Sequence, residues 1–124
     1  MAKPSILIVD DEPQVLSLLT EALERNEYQT FGAQNAETAL ELLKKKQIDV
    51  IFLDLRMPAT DGAQTLERIR ETHPTTPVVI ITAYPRDLLV DRAMKLGAFA
   101  CLIKPFSMAD VLAILDVLEI EKAA

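Results

Sequence analysis

The chain has 124 residues, of which 50% are hydrophobic and 26% charged, which suits one packed domain and excludes an intrinsically disordered chain. A formal net charge of −6 argues against direct nucleic-acid binding, which normally needs a basic surface. The single cysteine, Cys101, excludes an internal disulfide, and no apolar run has the length of a signal peptide or membrane helix. The sequence therefore predicts one soluble, cytoplasmic domain over residues 1–124.

Five short apolar runs have the length of β-strands. They cover residues 6–9, 28–31, 49–53, 77–81 and 99–103. The second run is the weakest, and the others lack the polar alternation of a strand with one face in water. Such runs are typical of strands covered on both faces, as in a parallel sheet.

Amphipathic helices are predicted between and after these runs, because apolar residues recur there with helical spacing. The five sets are Val15, Leu19, Ala22 and Leu23; Ala36, Ala39, Leu40 and Leu43; Leu66 and Ile69; Leu89, Ala93 and Leu96; and Leu112, Leu115 and Leu118. Residues of N-cap type precede the second, third and fifth helices, namely Asn35, Asp61 and Ser107. Pro13 and Pro85 suit a first helical turn, and Gly97 suits the position just after the fourth helix.

The order strand then helix, repeated five times, predicts a parallel sheet with helices on both faces. A closed eight-fold barrel would need roughly twice this length. The predicted fold is therefore α/β, an open doubly wound (βα)5 domain with a parallel five-stranded sheet.

Ligands of doubly wound sheets bind beyond the carboxyl ends of the strands, and chemically reactive side chains collect there in this sequence. Asp10 and Asp11 follow the first strand, Asp54 the third, Thr82 the fourth and Lys104 the fifth. If the first and third strands are neighbours, three carboxylates meet, and a hard divalent cation such as Mg²⁺ would offset their repulsion. The lone acid, Asp54, is the candidate nucleophile toward phosphorus, with the other two acids on the metal and Lys104 and Thr82 as phosphate contacts.

The segments "LIVDDEP", "FLDLRMP", "DG", "ITA" and "LIKPF" resemble the receiver domain of bacterial two-component response regulators, from about Ser5 to about Leu118. The resemblance implies a flavodoxin-like strand order of 2-1-3-4-5. It also implies that a histidine kinase or a histidine phosphotransfer protein phosphorylates Asp54. Thr82 and Lys104 match the hydroxyl and the lysine that contact the phosphoryl group in this family.

The same resemblance implies how the domain holds Mg²⁺ and passes on its signal. The metal ligands would be the side chains of Asp11 and Asp54 and the backbone carbonyl of Arg56, with Asp10 contributing largely through water. A downstream output domain or partner would bind the face formed by the fourth helix, fifth strand and fifth helix, and phosphorylation-dependent homodimers are possible. No membrane contact is implied, and no enzymatic activity beyond self-phosphorylation and slow autodephosphorylation.

The chain departs from the family at Cys101, where relatives usually carry Tyr or Phe as a reporter of the switch. Tyr84 could substitute in part, and Arg56 and Tyr84 occupy the two positions that tune phosphate lifetime in relatives. In relatives the Lys104–Pro105 peptide bond is cis.

Three other functions are weighed against the receiver. A haloacid-dehalogenase-type phosphatase also uses an aspartyl nucleophile, but carries it on the first strand with a second Asp two residues later, where this chain has Asp54 on the third strand and Arg56. A flavin- or nucleotide-binding module lacks support because the sequence has no glycine-rich phosphate loop. A degenerate receiver that acts through partner binding alone is disfavoured because all five expected site residues are present, and Cys101 is the reason to consider it.

Overall fold

The computed structural model describes residues 3–58 and 60–123, with side chains as far as Glu119. Its seven strands are β1 (Ser5–Val9), β2 (Gln29–Ala33), β3 (Val50–Asp54), β4 (Arg56–Met57), β5 (Thr60–Asp61), β6 (Val78–Thr82) and β7 (Ala100–Ile103). Five of them form one parallel sheet in the order β2-β1-β3-β6-β7. Setting aside the two-residue antiparallel pair β4–β5, this order is 2-1-3-4-5, which confirms the predicted doubly wound topology.

Five helices cover the two faces of the sheet. They are α1 (Pro13–Arg25), α2 (Ala36–Lys45), α3 (Gly62–Thr72), α4 (Leu88–Lys95) and α5 (Met108–Ala123). Alternate strand residues point to opposite faces. Leu7 and Val9 therefore belong to a core with α2, α3 and α4, while Ile6 and Ile8 belong to a second core with α1 and α5. Within the described residues, no helix combines the length and apolar character needed to cross a membrane.

Three predicted helix caps are confirmed. Oδ1 of Asn35 accepts a hydrogen bond from the backbone N–H of Thr38 at 2.8 Å, and Oδ1 of Asp61 accepts one from Gln64 at 2.7 Å. Ser107 Oγ accepts from the backbone N–H of Asp110 at 3.2 Å. Each of these bonds satisfies an N–H that the first turn of a helix leaves unpaired, so these short side chains fix where α2, α3 and α5 begin.

The start of the fourth helix was predicted wrongly. Pro85 lies in a turn that the backbone N–H of Asp87 closes on the carbonyl of Tyr84 at 3.0 Å, and α4 begins only at Leu88. The helix starts later because Asp87 caps it, accepting the backbone N–H of Leu89 on Oδ1 at 3.0 Å. Gly97, as predicted, follows this helix, where its φ of +88° favours glycine.

The second strand begins one residue later than predicted and runs to Ala33. Parallel pairing with β1 aligns Ser5 with Gln29 and Val9 with Ala33, so the neighbouring strand sets its limits. Tyr28, which precedes it, is buried and donates a hydrogen bond from its hydroxyl to Glu119 at 3.0 Å. Pairing across the sheet thus overrides the weak apolar pattern of the sequence.

Candidate functional site

The pairing of β1 with β3 brings two carboxylates to one edge of the sheet. Val9 lies opposite Leu53 in the parallel register, so Asp10 and Asp54 follow side by side at the carboxyl ends of their strands. Asp10 is 0% exposed and Asp54 is 4% exposed. Both acids are therefore withdrawn from water, which makes the arrangement unfavourable unless positive charge compensates it.

A third carboxylate joins them. Among the described residues, Asp10, Glu12 and Asp54 each offer an oxygen within 4.8 Å of the other two. Sequence analysis did not single out Glu12, although it stands two residues after Asp10 in the same acidic run and this spacing could have indicated it. Asp11, placed on the metal by sequence analysis, is half-buried and lies outside this group.

Lys104 is the positive charge that all three acids share. Its Nζ lies 3.4 Å from Asp54 Oδ2, 3.5 Å from Asp10 Oδ2 and 3.2 Å from Glu12 Oε1. Burial works against the charge of this ammonium group, but attraction to Asp54 and Asp10, with Glu12, outweighs it and raises the pKa of Lys104. Lys104 is therefore a fixed cation beside the carboxylate of Asp54.

Asp10 shows that one lysine does not neutralise the site. Its Oδ1 accepts the backbone N–H of Glu12 at 2.9 Å, whereas its buried Oδ2 has no hydrogen-bond partner within the part of the chain that the structure describes. Burial first, and repulsion by Asp54 after it, raise the pKa of Asp10 to about 6. A buried carboxylate oxygen that accepts no hydrogen bond, next to two further acids, matches the all-oxygen donor set that Mg²⁺ prefers.

The loop after Asp54 is held in a tight turn. The backbone N–H of Arg56 donates to Asp54 Oδ1 at 3.0 Å, and the N–H of Gly62 donates to the carbonyl of Leu55 at 2.7 Å. A Cβ on Gly62 would lie 2.5 Å from Leu55 Cα and 2.8 Å from the carbonyl oxygen of Asp54. The glycine of the "DG" segment is thus required by the close approach of two backbone segments beside the site.

Thr82 reaches the same edge from the next strand. Asp54 pairs with Ile81 of β6, so Thr82 extends one residue beyond it, and its side chain is almost completely buried. Its Oγ1 accepts the backbone N–H of Tyr84 at 3.0 Å. The backbone N–H of Lys104 donates to the Thr82 carbonyl at 2.8 Å, which ties together the two residues predicted to contact a phosphoryl group.

An ion pair that sequence analysis missed connects the site with α4. The Nε and Nη2 atoms of Arg56 both lie 2.6 Å from Oδ2 of Asp87. The two residues are 31 positions apart, and neither Arg56 in the short strand β4 nor Asp87 before α4 carries a sequence pattern that identifies them as partners. A recess at the surface is lined by Arg56, Tyr84 and Asp87.

Cys101 and Tyr84 differ in their surroundings. Cys101 is half-buried and packs against the core beneath α4, where burial raises the pKa of its thiol. The Tyr84 side chain is 63% exposed. The cysteine therefore serves as a small core residue, while the aromatic ring lies at the surface. The Lys104–Pro105 peptide bond is cis, as the family resemblance implied.

The family follows from a match over most of the chain. The model of the response regulator receiver domain matches residues 6–116, so the chain belongs to this family. Regulatory protein AtoC of Escherichia coli (strain K12) is 39% identical over 106 residues, which are 86% of this chain and 23% of AtoC. Sporulation initiation phosphotransferase F of Bacillus subtilis (strain 168) is 34% identical over 111 residues, 90% of each chain.

Solved structures agree with this assignment. A CheY-like response regulator receiver domain protein from Methanospirillum hungatei JF-1 has a TM-score of 0.91 and 25% identity, covering 98% of this chain and 99% of the other. The chain is thus a receiver domain of the two-component class, and a phosphorylation-dependent signalling switch is the function consistent with it. The phosphatase and degenerate-receiver alternatives are not favoured.

Proposed function

We propose that Asp54 accepts a phosphoryl group from a phosphohistidine in the presence of Mg²⁺, and that the phosphorylated domain is the active signalling state. One observation carries the proposal. A lone acid at the end of β3, Asp54, lies 3.4 Å from a cation, Lys104 Nζ, and beside a second buried acid, Asp10, whose Oδ2 accepts no hydrogen bond from the described residues. This arrangement supports nucleophilic attack by a carboxylate on phosphorus.

The transfer breaks one bond and forms one. A carboxylate oxygen of Asp54 attacks the phosphorus, the P–N bond to the donor imidazole breaks with its electron pair leaving on nitrogen, and an acyl phosphate remains on Asp54. The protein mainly positions the groups and neutralises charge on the phosphoryl oxygens. Lys104 supplies positive charge there, and the hydroxyl of Thr82 supplies a hydrogen-bond donor once it turns from Tyr84.

Mg²⁺ would be held by the carboxylates of Asp10, Asp11 and Asp54 and by the backbone carbonyl of Arg56. Glu12 adds a further carboxylate oxygen close to those of Asp10 and Asp54. When bound, the ion supplies the positive charge that offsets the crowded acids and the incoming phosphoryl oxygens. Such an ion would lower the raised pKa of Asp10 and would coordinate its Oδ2, which accepts no hydrogen bond from the described residues.

The partners are proposed from the family and from the surface. The phosphoryl donor is a histidine kinase or a histidine phosphotransfer protein. An output domain or partner binds the face of α4, β7 and α5, which carries the exposed apolar side chains of Leu88, Met94, Ile103 and Val117. The same face could support a phosphorylation-dependent homodimer. We place this activity in the cytoplasm, with no catalysis beyond the domain's own phosphorylation and slow dephosphorylation.

The test is the intact mass of the chain after incubation with Mg²⁺ and acetyl phosphate. We expect the wild type to gain one phosphoryl group, Asp54→Asn to gain none, and the surface control Asp116→Asn to behave as the wild type. A wild-type mass that stays unchanged while another receiver domain is phosphorylated would contradict the proposal. Sustained turnover of a small phosphate ester, in place of the uptake of one phosphoryl group per chain, would instead support a phosphatase.

A further inference from the structure

The ion pair between Arg56 and Asp87 joins the phosphorylation site to the start of α4. Arg56 is two residues after Asp54, and its backbone N–H already donates to the Asp54 carboxylate at 3.0 Å. Asp87 divides its two oxygens, because Oδ1 caps α4 through the Leu89 N–H and Oδ2 receives both Nε and Nη2 of Arg56. One side chain thus links the loop after the phosphoacceptor to the first turn of a helix.

The two ends of α4 are held differently. At its carboxyl end, Arg70 donates from Nε to the carbonyl of Leu96 at 3.1 Å and from Nη2 to the carbonyl of Gly97 at 3.0 Å. At its amino end, Leu88 is 80% exposed, Leu89 and Val90 pack against the core, and the polar link to the loop after Asp54 is the Arg56–Asp87 pair. The amino-terminal turn is therefore the end that a change at Arg56 can release.

We propose that the Arg56 side chain exchanges partners, binding Asp87 in the unphosphorylated chain and the phosphoryl group on Asp54 after phosphorylation, and that its departure frees the first turn of α4. This inference rests on the proposed phosphorylation of Asp54. Arg56 is then a phosphoryl-binding residue, and Asp87 is a positioning residue that binds the Arg56 guanidinium until Asp54 is phosphorylated.

Charge and geometry favour the exchange. A phosphoryl group brings about −1.5 to −2 charges and three acceptor oxygens, whereas Asp87 gives Arg56 a single oxygen. A guanidinium group binds phosphate oxygens through paired N–H donors, which one oxygen cannot match. The arginine side chain is 60% exposed, so it can swing between the two partners without disturbing the core.

If the Arg56 guanidinium moved away, Asp87 would lose the cation that pairs with its Oδ2. With Arg56 in place the Asp87 side chain is 8% exposed, and departure of the guanidinium would leave Oδ2 without its ion-pair partner. The Leu89 N–H and then the Arg56 guanidinium hold the pKa of Asp87 below its usual value, which agrees with a carboxylate that depends on both.

The test is a double-mutant cycle with beryllium trifluoride, a phosphoryl mimic, titrated calorimetrically in saturating Mg²⁺. Asp87→Asn keeps the helix cap, because asparagine caps as well as aspartate, but loses the charge that holds Arg56. We expect Asp87→Asn to bind the mimic about 5-fold more tightly than the wild type, and to have less than about 1.5-fold effect in an Arg56→Gln background. The control Glu67→Gln removes the Arg92–Glu67 pair between α3 and α4 and should change affinity less than about 1.5-fold.

Hydrogen exchange of the Leu89 and Val90 amides gives a second readout. The mimic should speed their exchange in the wild type, while in Arg56→Gln exchange is already fast and the mimic adds nothing. Equal tightening by Asp87→Asn in both backgrounds, or unchanged exchange in the wild type, would overturn the partner exchange and leave the proposed function intact. If no chain binds the mimic or accepts a phosphoryl group from acetyl phosphate, the proposed function falls, and this inference with it.

Discussion

The aspartates at the two ends of the central strand β3 differ in their surroundings: Asp49 is hydrogen-bonded to the neighbouring strand, whereas Asp54 belongs to a crowded group of acids. At the amino end, Asp49 accepts the backbone N–H of Ser5 on Oδ2 at 2.8 Å, and its own N–H donates to the Ser5 carbonyl at 2.8 Å. At the carboxyl end, Asp54 stands beside Asp10, whose Oδ2 has no hydrogen-bond partner among the residues described. Acids that accept hydrogen bonds stabilise a fold, whereas crowded buried acids repel one another and need positive charge to compensate them.

Lys104 is expected to have the largest effect on the chemistry at the carboxyl end. Lys104→Gln removes the cation that lies 3.4 Å from Asp54 Oδ2. We expect phosphorylation by acetyl phosphate, followed by intact mass over time, to slow by about 100-fold or more, because charge on the phosphoryl oxygens is no longer neutralised. Lys95→Gln, on the exposed surface of α4, serves as the control and should keep the wild-type rate. A wild-type rate in Lys104→Gln would contradict this role.

Asp10→Asn should stabilise the metal-free chain, which is unusual for a change at a buried position. The pKa of Asp10 is raised from 3.8 to about 6, so near neutral pH its buried charge costs on the order of 1–3 kcal/mol, which asparagine removes. Urea unfolding in a chelator measures the change. Added Mg²⁺ should stabilise the wild type more than the variant, because the variant has lost a donor for the ion.

The stabilisation expected from Asp10→Asn should grow as the pH rises. Because the folded-state pKa of Asp10 is higher than its ordinary value, the folded chain binds the proton more tightly, and acidification through about pH 6 stabilises the metal-free wild type through this group. The advantage of Asp10→Asn should therefore be largest at about pH 7.5 and shrink toward pH 4.5. A wild type more stable than the variant at the higher pH would contradict the account.

Asp49→Asn should have a smaller effect of the opposite sign. It replaces a charged acceptor of the Ser5 N–H by a neutral one, which should lower the free energy of unfolding by about 1 kcal/mol. The same urea experiment tests it, and the stabilisation by Mg²⁺ should be unchanged. If Asp49→Asn raised stability as Asp10→Asn does, the contrast between the two ends of β3 would be lost.

Much of the fold and part of the site could be predicted because they depend on local sequence. Buried strands read as continuous apolar runs, and a parallel sheet brings the residues after those runs to one edge, which is why Asp10, Asp54, Thr82 and Lys104 lie at the same edge of the sheet. What remained hidden depends on contacts distant in sequence. Nothing near Arg56 shows that its partner is 31 residues away, and Pro85 fits a helix start until Asp87 is seen to cap α4 instead.

The central claim is that Asp54 takes up a phosphoryl group. Borohydride reduction of the chain phosphorylated with acetyl phosphate and Mg²⁺ converts an aspartyl phosphate to homoserine, and peptide sequencing by mass spectrometry locates it. We expect one homoserine per phosphorylated chain, at position 54. Homoserine at another aspartate, or none in a chain that has gained a phosphoryl group, would contradict the account.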